Sequence, residues 1–258
     1  MIGNLQWSAI HLVIDAGQWQ VVVMDKSEGD GASTQSSTLR AYLTLRNDII
    51  TGRLPPGERL KIDTLKTGLD TGASPVREAL SLLTSDQLVN RIDQRGFRVA
   101  KTSRSQFQEI LNLRCNLEVL AVRDSLDRSS PEWEDSLVLA HHHMKQSSLK
   151  NPESFETHHK RFHMALLDAC GSPILLRFCS QLYDLNVRYR YLAGRAISYA
   201  RRDVEAEHRG ILDAAVNRDV DDVCARLLEH YRRTGAFLEE QMGKDSPDSS
   251  GSVVAYES

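Results

Sequence analysis

Apolar residues recur along most of this chain at the three-to-four-residue spacing of amphipathic helices. Leu39, Tyr42, Leu43, Leu45, Ile49 and Ile50 predict a first strong helix, which Gly52 stops. LPPGERL (54–60) then reads as a rigid turn, because two prolines and a glycine oppose helix. A short helix over 63–68, a turn at LDTGA (69–73) and a helix over 74–85 follow. Ser74 is the expected N-cap of that last helix and Pro75 suits its first turn. Val76, Ala79, Leu80, Leu82 and Leu83 would face a core. QLVNRID (87–93) and QRGFRVA (94–100) read as two strands turned at 94–96. Three helices and a hairpin in about 65 residues is the plan of a winged helix-turn-helix.

Beyond residue 105 no strand signal remains. Helices are expected at 105–128, 131–149, 152–170, 172–196, 200–217 and 219–242. Pro131, Pro152 and Pro173 fall near helix starts, and Gly171 separates two helices. The fold class is therefore mainly α: an N-terminal winged helix-turn-helix over 38–104 and an all-α bundle over 105–242. Residues 243–258 are polar and expected to be disordered. Residues 1–37 are expected to be a flexible or wrongly assigned extension. Their first part alternates weakly without an identifiable partner and has no basic signal-peptide start, and Met24 reads as the true initiator.

Charge sharpens the division. The net charge of −3 hides an asymmetry. Residues 38–104 hold 12 Lys and Arg against 7 Asp and Glu, whereas residues 105–258 hold 19 against 24. A basic small domain beside an acidic large one implies a polyanion partner for the first alone. No apolar run reaches the roughly 18 residues of a membrane helix. Cys115, Cys170, Cys179 and Cys224 show no CxxC spacing and read as buried thiols of a reducing cytosol.

Three predicted helices place histidine within an apolar stripe: His159 and His163 on one, His208 and His230 on the last two. His159 and His163 are one turn apart on the same face, a spacing that lets two imidazoles share an ion. The residues leave open whether the four converge on a metal or are separate hydrogen-bonded core histidines. A metal here would be zinc, nickel, copper or iron rather than magnesium or calcium. Glu118, Glu156 and Glu207 are candidate acceptors for the outer N–H groups. His141, His142 and His143 point about 100° apart in a helix and read as mostly solvated. His159-x3-His163 also has zincin-like spacing, but Lys160 stands among these residues where a metallohydrolase needs its Glu. Arg114, Arg188 and Arg190 fall on bundle helices, where a buried guanidinium calls for an anion.

SPVREAL (74–80) and RGFRV (95–99), followed by the helical half, resemble the GntR family of bacterial regulators in its FadR-type branch with an FCD effector domain. The resemblance spans residues 38–241 and implies DNA contacts from Ser74, Arg77, Arg95 and Gly96. A helix N-terminus offers N–H groups to phosphate, Arg77 can read guanine, and Gly96 lets the backbone near the duplex. Two departures put the operator sequence in doubt: Ala73 stands where many relatives carry Arg, and LDTG (69–72) replaces LGVS, so Lys66 is a candidate substitute contact. Metal-binding relatives carry Asp-x3-His on one helix and single histidines on the last two. His163, His208 and His230 match, and His159 occupies the Asp position. The resemblance further implies a cytoplasmic homodimeric repressor, not an enzyme, on a near-palindromic double-stranded operator. It would respond to a small carboxylate held by Arg114, Arg188 and Arg190 near a divalent metal, zinc first, with nickel, iron or manganese as alternatives. TGASPVREAL, HHKRFH and NVRYRYL resemble the carbon-starvation subgroup, which responds to glutarate-type diacids. A regulator answering to the metal itself shares every motif.

Overall fold

A computed structural model describes residues 10–15, 18–23, 36–147, 152–193 and 203–245. The chain divides into two compact units, Met1–Lys101 and Thr102–Ser258. Among the described residues, no helix is long and apolar enough to cross a membrane.

The first unit holds α1 (Ser37–Ile50), α2 (Ile62–Gly68) and α3 (Ala73–Ser85). Its three-stranded antiparallel sheet consists of β3 (Arg59–Leu60), β4 (Val89–Ile92) and β5 (Gly96–Val99) in the order β3-β5-β4. Ser36 caps α1 through its side chain. Ala41, Leu45, Ile49 and Ile50 of α1 are buried, as are Val76, Ala79, Leu80 and Leu83 of α3. Three expectations change. Gly72, not Ser74, is the N-cap of α3, so Ser74 lies inside the first turn. Leu82 is exposed, because it lies on the flank of the apolar stripe. The rigid turn carries a strand: Arg59 pairs with Arg98 and Leu60 with Phe97. The weakly alternating N-terminal stretch also finds a partner, as β1 (Ile10–Asp15) pairs antiparallel with β2 (Gln18–Val23). Of the expected arm over 25–37, Ser36 and Ser37 instead cap and open α1, and of the expected tail over 243–258, residues 243–245 instead continue the last helix; the rest of both, and the Met24 start, lie outside the described residues.

The second unit is helical throughout its described length: α4 (Arg104–Asp127), α5 (Pro131–Gln146), α6 (Pro152–Leu167), α7 (Pro173–Leu192), α8 (Val204–Val216) and α9 (Val220–Asp245). Side chains of Ser103, Ser130, Ser172 and Asp203 cap four of these helices and satisfy N–H groups that a helix start leaves open. A 3-10 turn, Asp168–Cys170, closes α6, and Gly171 takes a left-handed φ of 71° before α7 begins. Helix α4 packs on α7 and α9, α5 on α6 and α8, and α8 on α9. Every helix expected from the spacing is present. The stripes of α6, α8 and α9 meet where those helices converge, which places the histidines inside.

Candidate functional site

Four imidazoles converge in the bundle. His159, His163, His208 and His230 are between 1% and 4% exposed, and one donor atom from each lies within 4.8 Å of all the others. The Nε2 atoms of His159 and His208 are 2.9 Å apart, and those of His159 and His163 are 3.2 Å apart.

The outer ring nitrogens decide the protonation pattern. His208 donates from Nδ1 to the Val204 carbonyl at 2.8 Å, and His230 donates from Nδ1 to the Glu207 carboxylate at 2.8 Å. Tyr183 donates its hydroxyl to Glu156 and Tyr231 donates to Glu118. Each tyrosine oxygen is thereby left to accept from a histidine Nδ1, Tyr183 from His159 and Tyr231 from His163. All four Nδ1 atoms then carry hydrogen, and the four Nε2 lone pairs face inward. Burial first, then Arg190 for His159 and the neighbouring histidines for His163 and His208, which disfavour a proton among them, holds all three well below the usual imidazole range, so they are neutral. Four neutral bases with facing lone pairs repel one another, and a cation between them removes that repulsion. The group could hold a transition-metal ion, and its donor set is that of zinc, nickel or copper sites.

Two arginines reach the same place through matching relays. Arg114 donates to Glu118 at 2.6 Å and to Asn186 at 3.2 Å, and its guanidinium stacks 4.1 Å from the Tyr231 ring centre. Arg190 donates to both oxygens of Glu156. A small cavity of about 10 Å³ is lined by Arg114, Asn186, Arg190, His159 and His230, with Leu111, Tyr231 and Thr234 completing it. Arg114 is buried, and its Nη2 makes no hydrogen bond among the described atoms. Arg188 does not line this cavity. Positions 186 and 190 are one turn apart on α7, so position 188 points to the other side of the helix. It is buried there, and burial pushes its guanidinium down to about 10.

Glu156 and Glu118 were expected beside the histidines. They act one atom further out, through tyrosines that sequence reasoning passed over. A signal existed: Tyr183, Asn186 and Arg190 fall at i, i+3 and i+7, a polar-tipped stripe on an otherwise buried helix. His141 is a correction. It is buried, with its ring 5.4 Å from Phe162, because Trp133, Leu137, His141 and Met144 form the inner stripe of α5. His142 and His143 are exposed.

In the first unit, Ser74 and Arg77 are exposed on the first turns of α3. Glu78 and Asp86, the carboxylates expected to compete for Arg77, are engaged elsewhere, and the charge of Arg77 instead acts on Asp63, helping Lys66 to lower its carboxyl. Glu78 accepts from Thr38 at 2.8 Å and from Ser74 at 3.3 Å, and Asp86 accepts from Tyr42 at 2.7 Å. Lys66, the expected substitute contact, pairs with Asp63 at 2.9 Å. Arg95 is exposed at the tip of the β4–β5 turn, beside Gly96 with a φ of 88°. Space around Gly96 is open, so its conformation, not crowding, calls for glycine.

Residues 37–99 match the bacterial regulatory proteins of the gntR family, and residues 109–233 match the FCD domain. The chain belongs to the GntR family, in the branch that carries an FCD domain. It is 33% identical to the HTH-type transcriptional repressor GlaR of Escherichia coli (strain K12), across 80% of this chain and 97% of that protein. It is also 33% identical to the uncharacterized HTH-type transcriptional regulator BphR of Paraburkholderia xenovorans (strain LB400), across 85% and 94%. Among solved structures, E. coli McbR/YncC superimposes with a TM-score of 0.71 at 25% identity, covering 80% of this chain and 99% of that one. Family and relatives are transcriptional regulators rather than enzymes, so the metallohydrolase alternative falls. Lys160, where such an enzyme would hold its general base, binds Asp184 at 2.8 Å.

Proposed function

We propose that this GntR-family regulator is a cytoplasmic homodimeric repressor that leaves its operator when a small carboxylate binds beside a metal ion in the helical domain. The observation that carries the reading is the convergence of one ring nitrogen from each of four histidines next to a cavity bearing an N–H of Arg114 that is unsatisfied among the described atoms. His159, His163, His208 and His230 would hold the ion, zinc first and nickel, iron or manganese as alternatives. Bound there, it supplies a fixed positive charge. Four neutral imidazoles leave that charge whole, whereas a carboxylate at position 159 would cancel part of it, so the site favours anions. Arg114, Asn186 and Arg190 would orient the acid, with Arg114 free to donate one further hydrogen bond.

In the DNA-binding unit, Arg77 reads the major groove, Ser74 and the α3 N-terminus hold phosphate, and Arg95 with Gly96 enters the minor groove. Two copies on a near-palindromic operator would place one α3 in each half-site. The acid need only bind the DNA-incompetent arrangement better to shift the population. The domain limits we propose are the expected 38–104 and 105–242. A repressor-named relative supports the sign of the response, and a glutarate-type diacid is the first candidate effector.

The cavity holds about one water, which favours a second reading in which the ion itself is the signal. One experiment separates the two. Thermal melts and operator gel shifts with a panel of small carboxylates, with and without chelator, should show an acid that stabilises only the metal-loaded protein and releases DNA. His208→Ala should lose metal and acid response while keeping operator affinity. Operator binding that tracks free metal and ignores every acid supports the second reading, and full metal content in His208→Ala overturns both.

A further inference from the structure

An acid acting beside the histidines must reach them, and the inner cavity of about 10 Å³ cannot contain one. A second hollow of about 320 Å³ lies between α4 and α9, lined by Leu111, Asn112, Cys115, Asn116, Val119, Leu228 and Arg232. Its volume is that of a small-molecule site, for which roughly 300–1,000 Å³ is usual. Leu111 lines both spaces. It is half-buried and rests in the notch left by Gly235, where a methyl group would come within 2.4 Å of Leu111 Cδ2. Leu111 is thus an aliphatic side chain common to both walls, lying over a glycine. A rotamer change of Leu111 into the outer hollow would join them without moving either helix.

The polar groups on the two sides differ in availability. Inside, Arg114 Nη2 is buried and hydrogen-bonds to nothing among the described atoms. Outside, Arg232 is exposed with Asn112 and Asn116 nearby on the wall. Cys115 lines the outer hollow, and its thiol, pushed up chiefly by burial, also feels both the Arg114 and the Arg232 guanidinium. Arg114 thus lines the inner cavity and Arg232 the outer hollow, and Leu111 lines both.

We infer that the α4–α9 hollow is the outer half of the site for the diacid proposed above, and that Leu111 is the movable partition between the halves. One carboxylate would sit inside on Arg114 and Asn186, and the other outside on Arg232. The inference rests on the acid-responsive reading given above. Selectivity then has a physical origin. A monoacid can satisfy the inner group alone, while a diacid gains a second charge-assisted contact at the cost of displacing the same leucine.

The test uses full-length, zinc-loaded protein with glutarate and butyrate as probes, read by calorimetry. Glutarate should bind more tightly than butyrate, and Arg232→Ala should weaken glutarate about tenfold while leaving butyrate unchanged. Leu111→Ala should speed removal of zinc by a chromogenic chelator several-fold, with unchanged starting zinc content. Leu113→Ala, at an exposed position of the same helix, should leave the rate as it is. Equal weakening of both acids by Arg232→Ala, or none, overturns the outer subsite. Equal chelator rates in Leu111→Ala and wild type overturn the partition. If neither acid binds the wild type, the effector reading and the outer subsite fail together, and the chelator rates alone decide whether Leu111 separates the spaces.

Discussion

Two chains of side chains with the same composition end on the histidine group: Arg190–Glu156–Tyr183–His159 and Arg114–Glu118–Tyr231–His163. Each fixes a tautomer by giving the histidine an acceptor that is itself committed to a carboxylate. The histidines and carboxylates were legible in the sequence, because charged or titratable residues on apolar stripes stand out. The tyrosines were not, since an aromatic residue on such a stripe reads as ordinary core. Arg188 misled for a related reason. A short run with alternating arginines does not reveal which one a helix turns toward the cavity. Arg77 is the plainest test at this scale. It is exposed, and the neighbouring carboxylates Glu78 and Asp86 have other partners. Arg77→Ala should weaken specific operator binding by about 1–3 kcal/mol. Gel-shift titration against a non-specific duplex checks it, and equal affinities for both would remove this residue from the reading helix.

Helix boundaries were the least legible part of the elements. Serine before proline reads as a cap, yet the cap of α3 lies two residues earlier, because Gly72 already takes the extended conformation an N-cap needs, with φ −78° and ψ 166°. The β3 strand was hidden in a proline-rich turn, since two residues are too few to alternate. Gly171, by contrast, was readable as a break, and the structure adds why it must be glycine. Its φ is 71°, and a Cβ there would meet Arg128 Nη1, which now donates to the Cys170 carbonyl at 2.7 Å. Gly171→Ala combines left-handed strain with a displaced, charge-assisted hydrogen bond. The expected cost is about 2 kcal/mol of stability. Urea denaturation of the full-length protein would show it as a lower midpoint, and an unchanged midpoint would mean that the α6–α7 corner relaxes freely.

At the scale of the molecule, the sequence separates a basic unit from an acidic one, and the structure places the whole histidine group in the acidic unit. This arrangement makes metal-free stability depend on pH in a definite direction. Unfolded imidazoles titrate near pH 6.5, while the folded His159, His163 and His208 resist protonation. Below that pH the unfolded chain binds protons that the folded chain refuses. Their full contribution to stability therefore holds above about pH 6.5 and is lost as pH falls toward the depressed folded values, by up to about 1.4 kcal/mol per pH unit for each histidine. Thermal melts of chelated protein should be nearly flat between pH 7 and 8 and fall steeply toward pH 5.5. A melting temperature indifferent to acid would show that the imidazoles are not buried and neutral together.

Three of the four outer ring contacts end on side chains, and the fourth does not. His208 leans on the carbonyl of Val204, the first residue of α8. That oxygen belongs to the winding of the helix itself, so an ion held on the proposed ligands would couple its capture to the coiling of the opening turn of α8. Fraying of those few residues would tilt the imidazole away from its companions. An occupied centre would in turn pin the opening turn of α8.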